Sequence, residues 1–184
     1  MSRSTIGGDL LDRLDRFSPS DAVERDAVAR VRQLLDGVAP FSSASFDPGH
    51  ITASAFVIHP GGRSIALMLH SKIGRWLQPG GHVEVGDDTI VDAAVREVAE
   101  EIGVGPADES WLCDVDVHVF PALLDVPEHL HHDVRVAFVS TSEHLVVGDG
   151  ADDVRWWSLT DALTLEESIA RPARKLDFWL RSRN

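Results

Sequence analysis

The sequence has a single cysteine, Cys113, among 184 residues. One thiol excludes an intramolecular disulfide and a zinc cage of thiolates built from one chain. Its setting, WLCDVDV, reads as a strand, where a free cysteine behaves as a small buried apolar residue. Positive charge is also scarce, with 17 Lys and Arg against 30 Asp and Glu and a formal net charge of -13. A surface of that sign repels nucleic-acid backbones and anionic membranes, so neither long nucleic acid nor membrane is expected as a partner. A phosphate ligand would need cations to approach. No apolar run reaches the roughly 20 residues of a membrane span, and the opening MSRSTIGGDLLDRLDRF lacks the apolar core of a secretion signal. The expectation is a cytoplasmic protein. Internal repeats and low-complexity linkers are missing as well, which leaves one globular unit.

What is present suffices for one core, since 43% of the residues are hydrophobic. Residues 8 to 37 predict two helices: Leu10, Leu11, Leu14 and Phe17 form one apolar stripe, and Val23, Val28, Val31 and Leu34 or Leu35 another. Ser18 or Ser20 is the expected cap of the second helix and Gly37 its stop. These helices carry no evident chemistry and read as a packed N-terminal extension, residues 1–45, or as a dimer contact. From Ile51 the pattern changes to β-rich runs. ITASAFVIHP and SIALMLH flank a turn at Pro60, Gly61 and Gly62, and a short HVEV strand is expected after the glycines. WLCDVDVHVFPALL, HDVRVAFVST and DDVRWWSL read as further strands, and Leu159 to Leu180 as one or two helices. Helices before, within and after a set of strands predict an α/β sandwich with both sheet faces covered.

The segment from Gly80 to Val104, GGHVEVGDDTIVDAAVREVAEEIGV, holds a strong helix from about Thr89 to Ile102, preceded by a capping turn at Gly86, Asp87 and Asp88. Val91, Val95, Val98 and Ile102 predict its buried face, with Glu97, Glu100 and Glu101 crowded in one sector roughly opposite. Like charges at three- and four-residue spacing cost about 0.2–0.5 kcal/mol per pair, and acids in the last turn a further 0.3–1 kcal/mol or so each. A helix selected for stability alone would carry lysines there. An ordinary solvated acidic face remains the bland alternative, yet Pro79, Gly80 and Gly81 just upstream allow a close backbone approach to a ligand. A cation among the carboxylates makes the arrangement reasonable. Hard oxygen donors favour Mg²⁺ or Mn²⁺ over Zn²⁺.

These residues resemble the Nudix box, G-x5-E-x7-R-E-U-x-E-E-x-G-U with U aliphatic. Arg96, Glu97, Val98, Glu100, Glu101, Gly103 and Val104 fill its second half, and Gly81 is its opening glycine. The first glutamate is replaced: Asp87 sits where it is counted from Gly81, and Asp88 where it is counted back from Arg96. The resemblance implies a Nudix-type α/β/α sandwich with a mixed β-sheet in a Nudix domain spanning residues 46–184, with the box at 81–104. It also implies metal-dependent hydrolysis of a pyrophosphate bond in a nucleoside diphosphate linked to another moiety: a nucleotide sugar, a dinucleoside polyphosphate or a nucleoside triphosphate. By the same resemblance Glu100 and Glu101 are metal ligands, Glu97 a further ligand or the base, and the Gly80 carbonyl another ligand. Arg96 braces the acids through Asp87, Asp88 or Glu97, and a later base could be Glu143, Asp149, Asp152 or Asp153. Many relatives pair up, so a homodimer is a candidate assembly.

Outside the box, PEHLHHDVRV places His129, His131, His132 and Asp133 just before a strand. As a zinc site the run lacks a fourth partner. Alternation sends His131, Asp133 and Arg135 to one face, where His131 and Arg135 could meet phosphate or sugar, or simply face solvent. Lys72 and Arg75 suit phosphates, and Trp76 could stack a base or fill the core. Trp156 and Trp157 read in part as core filling. Two functions compete with hydrolysis. A non-catalytic Nudix-fold nucleotide-binding module would tend to lose box carboxylates that this chain keeps. A diphosphate isomerase would want a cysteine in the cleft, whereas Cys113 reads as buried.

Overall fold

The computed structural model describes residues 5–123 and 126–183. Leu124, the end of the predicted WLCDVDVHVFPALL strand, and residues 1–4 of the N-terminal extension lie outside the described residues. The elements run α1 (Thr5–Arg16), α2 (Ala22–Leu35), β1 (His50–Ile58), β2 (Ser64–His70), β3 (Trp76–Leu77), β4 (Gly80–His82), α3 (Ile90–Ile102), β5 (Trp111–Phe120), β6 (His129–Val139), β7 (Ala151–Ser158), α4 (Leu159–Ala162) and α5 (Glu167–Ser182). Among the described residues no helix is long and apolar enough to cross a membrane.

Among the described residues the seven strands join one mixed sheet. Its main path is β3-β2-β1-β6-β5, with β4 on β1 and β7 on β2. β1 and β6 are parallel and paired along their whole shared length, from His50↔His131 to Ile58↔Val139, while the other pairs are antiparallel. Strict alternation along β1 divides the interior. Ala53, Ala55 and Val57 pack under α1, α2 and α3 with Leu10, Val31 and Val98, whereas Phe56 and Ile58 pack on the opposite face with Leu159, Ile169 and Leu176 from α4 and α5. Helices therefore cover both faces of a mixed sheet, as the sequence predicts.

One departure from regular pairing creates the cleft. β1 bonds to β2 only at its far end, Ile58↔Ile65, and its first half pairs instead with β4 through Thr52↔His82, Ala53↔Gly81 and Ser54↔Gly80. The sheet splays between β1 and β2, and polar Thr52 and Ser54 occupy the inward positions that Phe56 and Ile58 fill further along. The expected HVEV strand is displaced to Gly80–His82 because the pairing with β1 ends there.

Several caps differ from the expectation. Asp21, rather than a serine, caps α2 by accepting from Glu24 N–H at 2.8 Å, and the Glu24 side chain reaches back to Ser20. Thr89 caps α3 in a reciprocal box with Asp92, and Gly103 closes it in the left-handed region at φ 72°.

Candidate active site on helix α3 and the sheet cleft

The buried stripe of α3 runs through Ile90, Ala93, Ala94, Val98 and Ile102, with Val91 and Val95 only partly covered. This corrects the predicted face, and the reason is size: two alanines let the helix lie close to β1 and turn it. At about 100° per residue, Glu97 and Glu101 then project in nearly the same direction as Ile90 and Ala94. They continue the line of the buried stripe toward the end of the helix instead of opposing it and press against the Gly80–Gly81 backbone. Gly80 N–H donates to Glu101 Oε2 at 2.8 Å. A Cβ on Gly81 would stand 2.7 Å from Glu97 Oε1, and Gly80 holds φ 154° with Ser54 against it. Gly80 is required by backbone contact, whereas a side chain at Gly81 would push the Glu97 carboxylate aside.

Arg96 ties the acids together. It donates to Asp87 through Nε (3.2 Å) and Nη2 (3.1 Å), to Glu97 Oε1 (3.1 Å), to Glu100 Oε2 (3.3 Å) and to the His82 carbonyl (2.8 Å). Asp87, not Asp88, is thus its partner. Burial raises the Glu97 carboxyl above its ordinary range despite Arg96, and pushes Glu101 up to about 8, with repulsion from Glu97 and Glu100 adding to it. Burial would raise Asp87 too, but hydrogen bonds from Arg96 and the Glu84 backbone bring it below its usual value. One guanidinium therefore faces Glu84, Asp87, Glu97 and Glu100, while Glu101 has only a backbone N–H. Such an oxygen-rich, under-neutralised set fits a hard divalent cation.

Beside these acids the splayed sheet opens a cavity of about 430 Å³, lined by Gly80, Gly81, Glu101, Thr52, Ser54 and Gln78 and closed by Phe120, Arg75 and Ser168. Its floor is a hydrogen-bonded layer: Asp133 accepts from Thr52 (3.1 Å), Ser54 (2.8 Å), Gln78 (3.1 Å) and Arg135 Nε (2.8 Å). The predicted substrate residues separate here. His131 and Arg75 line the cavity, with Arg75 paired to Glu166, and Lys72 stays exposed on the β2–β3 loop. Trp76 is not brought to this cavity. It packs toward Trp157 with ring centroids 5.3 Å apart, because the opposite face of the sheet there is the α4–α5 core. Arg135 touches the cavity wall but is largely committed to the protein: it is 1% exposed, and its bonds from Nε, Nη1 and Nη2 to Asp133, Asp114, the Ser168 carbonyl and Asp116 occupy four of its five N–H donors.

The histidine run lies inside β6, not before it, and pairing brings in partners from distant sequence. His50 sits opposite His131 on β1, and His82 follows the glycines on β4. One ligand atom from each of His50, His82 and His131 lies within 4.8 Å of the others. Burial lowers all three imidazoles, His131 to about 2, so they stay neutral. Sequence reading missed His50 and His82 because only β-pairing unites them.

The family model described as NUDIX domain matches residues 48–180. The chain belongs to the NUDIX family. Among curated Nudix relatives it is similar to the m7GpppN-mRNA hydrolase NUDT17 of Danio rerio, 26% identical over 162 residues covering 72% of this chain and 54% of that protein. It is also similar to NUDT17 of Xenopus laevis, 38% identical over 71 residues, 37% of this chain and 23% of that one. The chain spans about half, or less, of the length of these curated relatives. Two solved Nudix structures share its fold: a C. elegans Ap4A hydrolase binary complex, with TM-score 0.54, 18% identity and coverage of 72% and 98% of the two chains, and the NUDIX domain of Shewanella oneidensis NrtR complexed with ADP ribose, with 0.55, 17%, 71% and 87%. The Nudix match begins at β1, yet α1 and α2 share the core under the sheet, and Asp9 accepts from Ile90 N–H at the start of the box helix.

Proposed function

We propose that this Nudix domain hydrolyses the pyrophosphate link of a nucleoside diphosphate joined to another group, using Mg²⁺ or Mn²⁺ held by Glu97, Glu100, Glu101 and the Gly80 carbonyl. The observation that carries the reading is Glu101 in the wall of a small-molecule-sized cavity, with Glu97 and Glu100 of the same helix beside it and joined by a single arginine. When bound, the cation supplies positive charge that lets a diphosphate enter an acidic site and polarises its phosphoryl oxygens. The chain's own residues do the positioning. Gly80 N–H fixes one oxygen of Glu101, and Arg96 spans Asp87, Glu97 and Glu100 so that their carboxylates stay converged. Glu97, raised by burial, is either a ligand of the ion or the base that takes a proton from the attacking water. Asp149 is the alternative base, because its loop is pinned to the end of α3 by Gly148 N–H donating to the Glu101 carbonyl at 2.9 Å.

The names of the relatives support the substrate class. m7GpppN, Ap4A and ADP ribose all contain a nucleoside phosphate joined through an anhydride. A second reading is a Nudix-fold module that binds a nucleotide without cleaving it; a NUDIX domain of this fold complexed with ADP ribose is compatible with either. A product-release screen over nucleotide sugars, dinucleoside polyphosphates and nucleoside triphosphates, with Mg²⁺, Mn²⁺ or chelator, separates the two. Hydrolysis is expected with metal and lost with chelator; tight nucleotide binding with no turnover in either metal supports the second reading instead.

A further inference from the structure

Close to the glutamates, and separate from them, four imidazoles converge from three strands. His50 is fully buried, its Nδ1 lies 3.1 Å from the Ser45 carbonyl, and its Nε2 has no hydrogen-bond partner among the described residues. The Nδ1 contact fixes the proton there and leaves Nε2 as a bare lone pair enclosed by protein. A buried acceptor without a donor costs about 1–3 kcal/mol, so its retention calls for an occupant. His129 repeats the arrangement: Nδ1 is 2.7 Å from the Pro127 carbonyl, which makes Nε2 an acceptor, 3.1 Å from His131 Nε2, whose N–H donates to it when no ion is bound. A backbone carbonyl on the far nitrogen is how metal-ligating histidines are oriented. Two nitrogens bonded to one tetrahedral ion at about 2.0–2.1 Å stand roughly 3.3 Å apart, close to that spacing.

We propose that His50, His82 and His131, with His129 as the adjacent fourth imidazole, form a second metal site for a borderline transition ion such as Zn²⁺, distinct from the oxygen-ligand site of the box. Donor type separates the two sites: imidazole selects Zn²⁺ or Co²⁺ where carboxylate and carbonyl oxygens select Mg²⁺ or Mn²⁺. They are also mechanically joined, since the His82 carbonyl accepts from Arg96 at 2.8 Å and His131 lines the same cavity as Glu101. An ion there would pin β4 against β1 and β6 and hold the cavity wall that faces the glutamates.

Chelator-treated full-length protein is titrated with Co²⁺ in excess Mg²⁺, reading the visible absorption of the cobalt ion, and with Zn²⁺ by calorimetry. One equivalent bound with an intense tetrahedral cobalt spectrum is expected. H82A, at a position partly open to solvent, and H50Q are both expected to weaken binding beyond the roughly 10–100-fold typical of an outer partner. E101Q is expected to leave the cobalt spectrum unchanged. Circular dichroism confirms folding, and H82A carries the test if H50Q unfolds. Absence of Co²⁺ and Zn²⁺ binding in the folded wild type, or binding that E101Q abolishes and H82A spares, overturns the site. Neither result depends on hydrolysis, so this assignment and the pyrophosphohydrolase reading fail separately.

Discussion

Burial moves the Glu101 carboxyl up to about 8, far above a carboxylate in water, and the nearby anions Glu97 and Glu100 push the same way. Without metal the site holds a group whose ionisation is costly; with a divalent cation the same group becomes a ligand. Substitution at this residue therefore separates folding from chemistry. E101Q removes the ionisable carboxyl and keeps the shape, so the metal-free variant is expected to melt no lower than the wild type. Turnover is expected to fall at least about a hundredfold, the scale of losing a few kcal/mol of electrostatic stabilisation. Millimolar Mg²⁺ is expected to raise the melting temperature of the wild type and to do so weakly, if at all, for the variant. An E101Q protein that keeps both its activity and the Mg²⁺-dependent shift sinks the assignment of Glu101.

At the scale of elements, α3 was legible in outline because everything that defines it is contiguous: the glycine pair, the apolar period, the acidic cluster and the closing Gly103 fall within 25 residues, Gly80 to Val104. Its rotation was not legible. Valine outranks alanine as a hydrophobic signal, yet Ala93 and Ala94 make the close contact and leave Val91 and Val95 at the margin. The strands were found by β-rich runs, while β4 was displaced because its extent depends on where β1 needs a partner. The cap of α3 is local and testable. T89A deletes one half of the Thr89–Asp92 box and is expected to cost about 1 kcal/mol in urea unfolding, the usual size of an N-cap loss. Glu101 lies twelve residues further on, about 18 Å along the axis, so Mg²⁺ affinity measured in parallel should not change. A large loss of affinity would mean that the whole helix shifts as one body.

Across the whole molecule the least legible feature is a buried ionic layer that ties the N-terminal helices, the sheet and α5 together. Asp114 and Asp116 alternate with Cys113, Val115 and Val117 along β5. The structure turns them inward, where Arg171 donates to Asp114 (2.8 and 3.0 Å) and Asp116 (3.2 Å), Arg135 bonds both, and Lys175 joins Asp114 to the fully buried Glu24 of α2. These partners are 19 to 151 residues apart, so no local pattern announces them. Breaking such a network by removing one cation strands buried anions, and R171A is expected to lose about 3–5 kcal/mol at neutral pH. Burial alone would raise both aspartates. Hydrogen bonds from Arg171 to Asp114 and from His118 to Asp116, with the arginine charges, bring both below the ordinary carboxylate range. A depressed folded-state pKa means that the stabilisation is complete above the unfolded value, near 3.9, and drains away as pH falls below it. Protonation also relieves the stranded anions of the variant. The stability gap between wild type and R171A should therefore be widest at neutral pH and narrow below about pH 4, as urea unfolding at stepped pH would read. His132, pushed down to about 4 chiefly by burial, weakens both proteins already below about 6.5 and so leaves their difference unchanged. A gap that stays constant down to pH 3 would mean that Arg171 contributes packing and not charge.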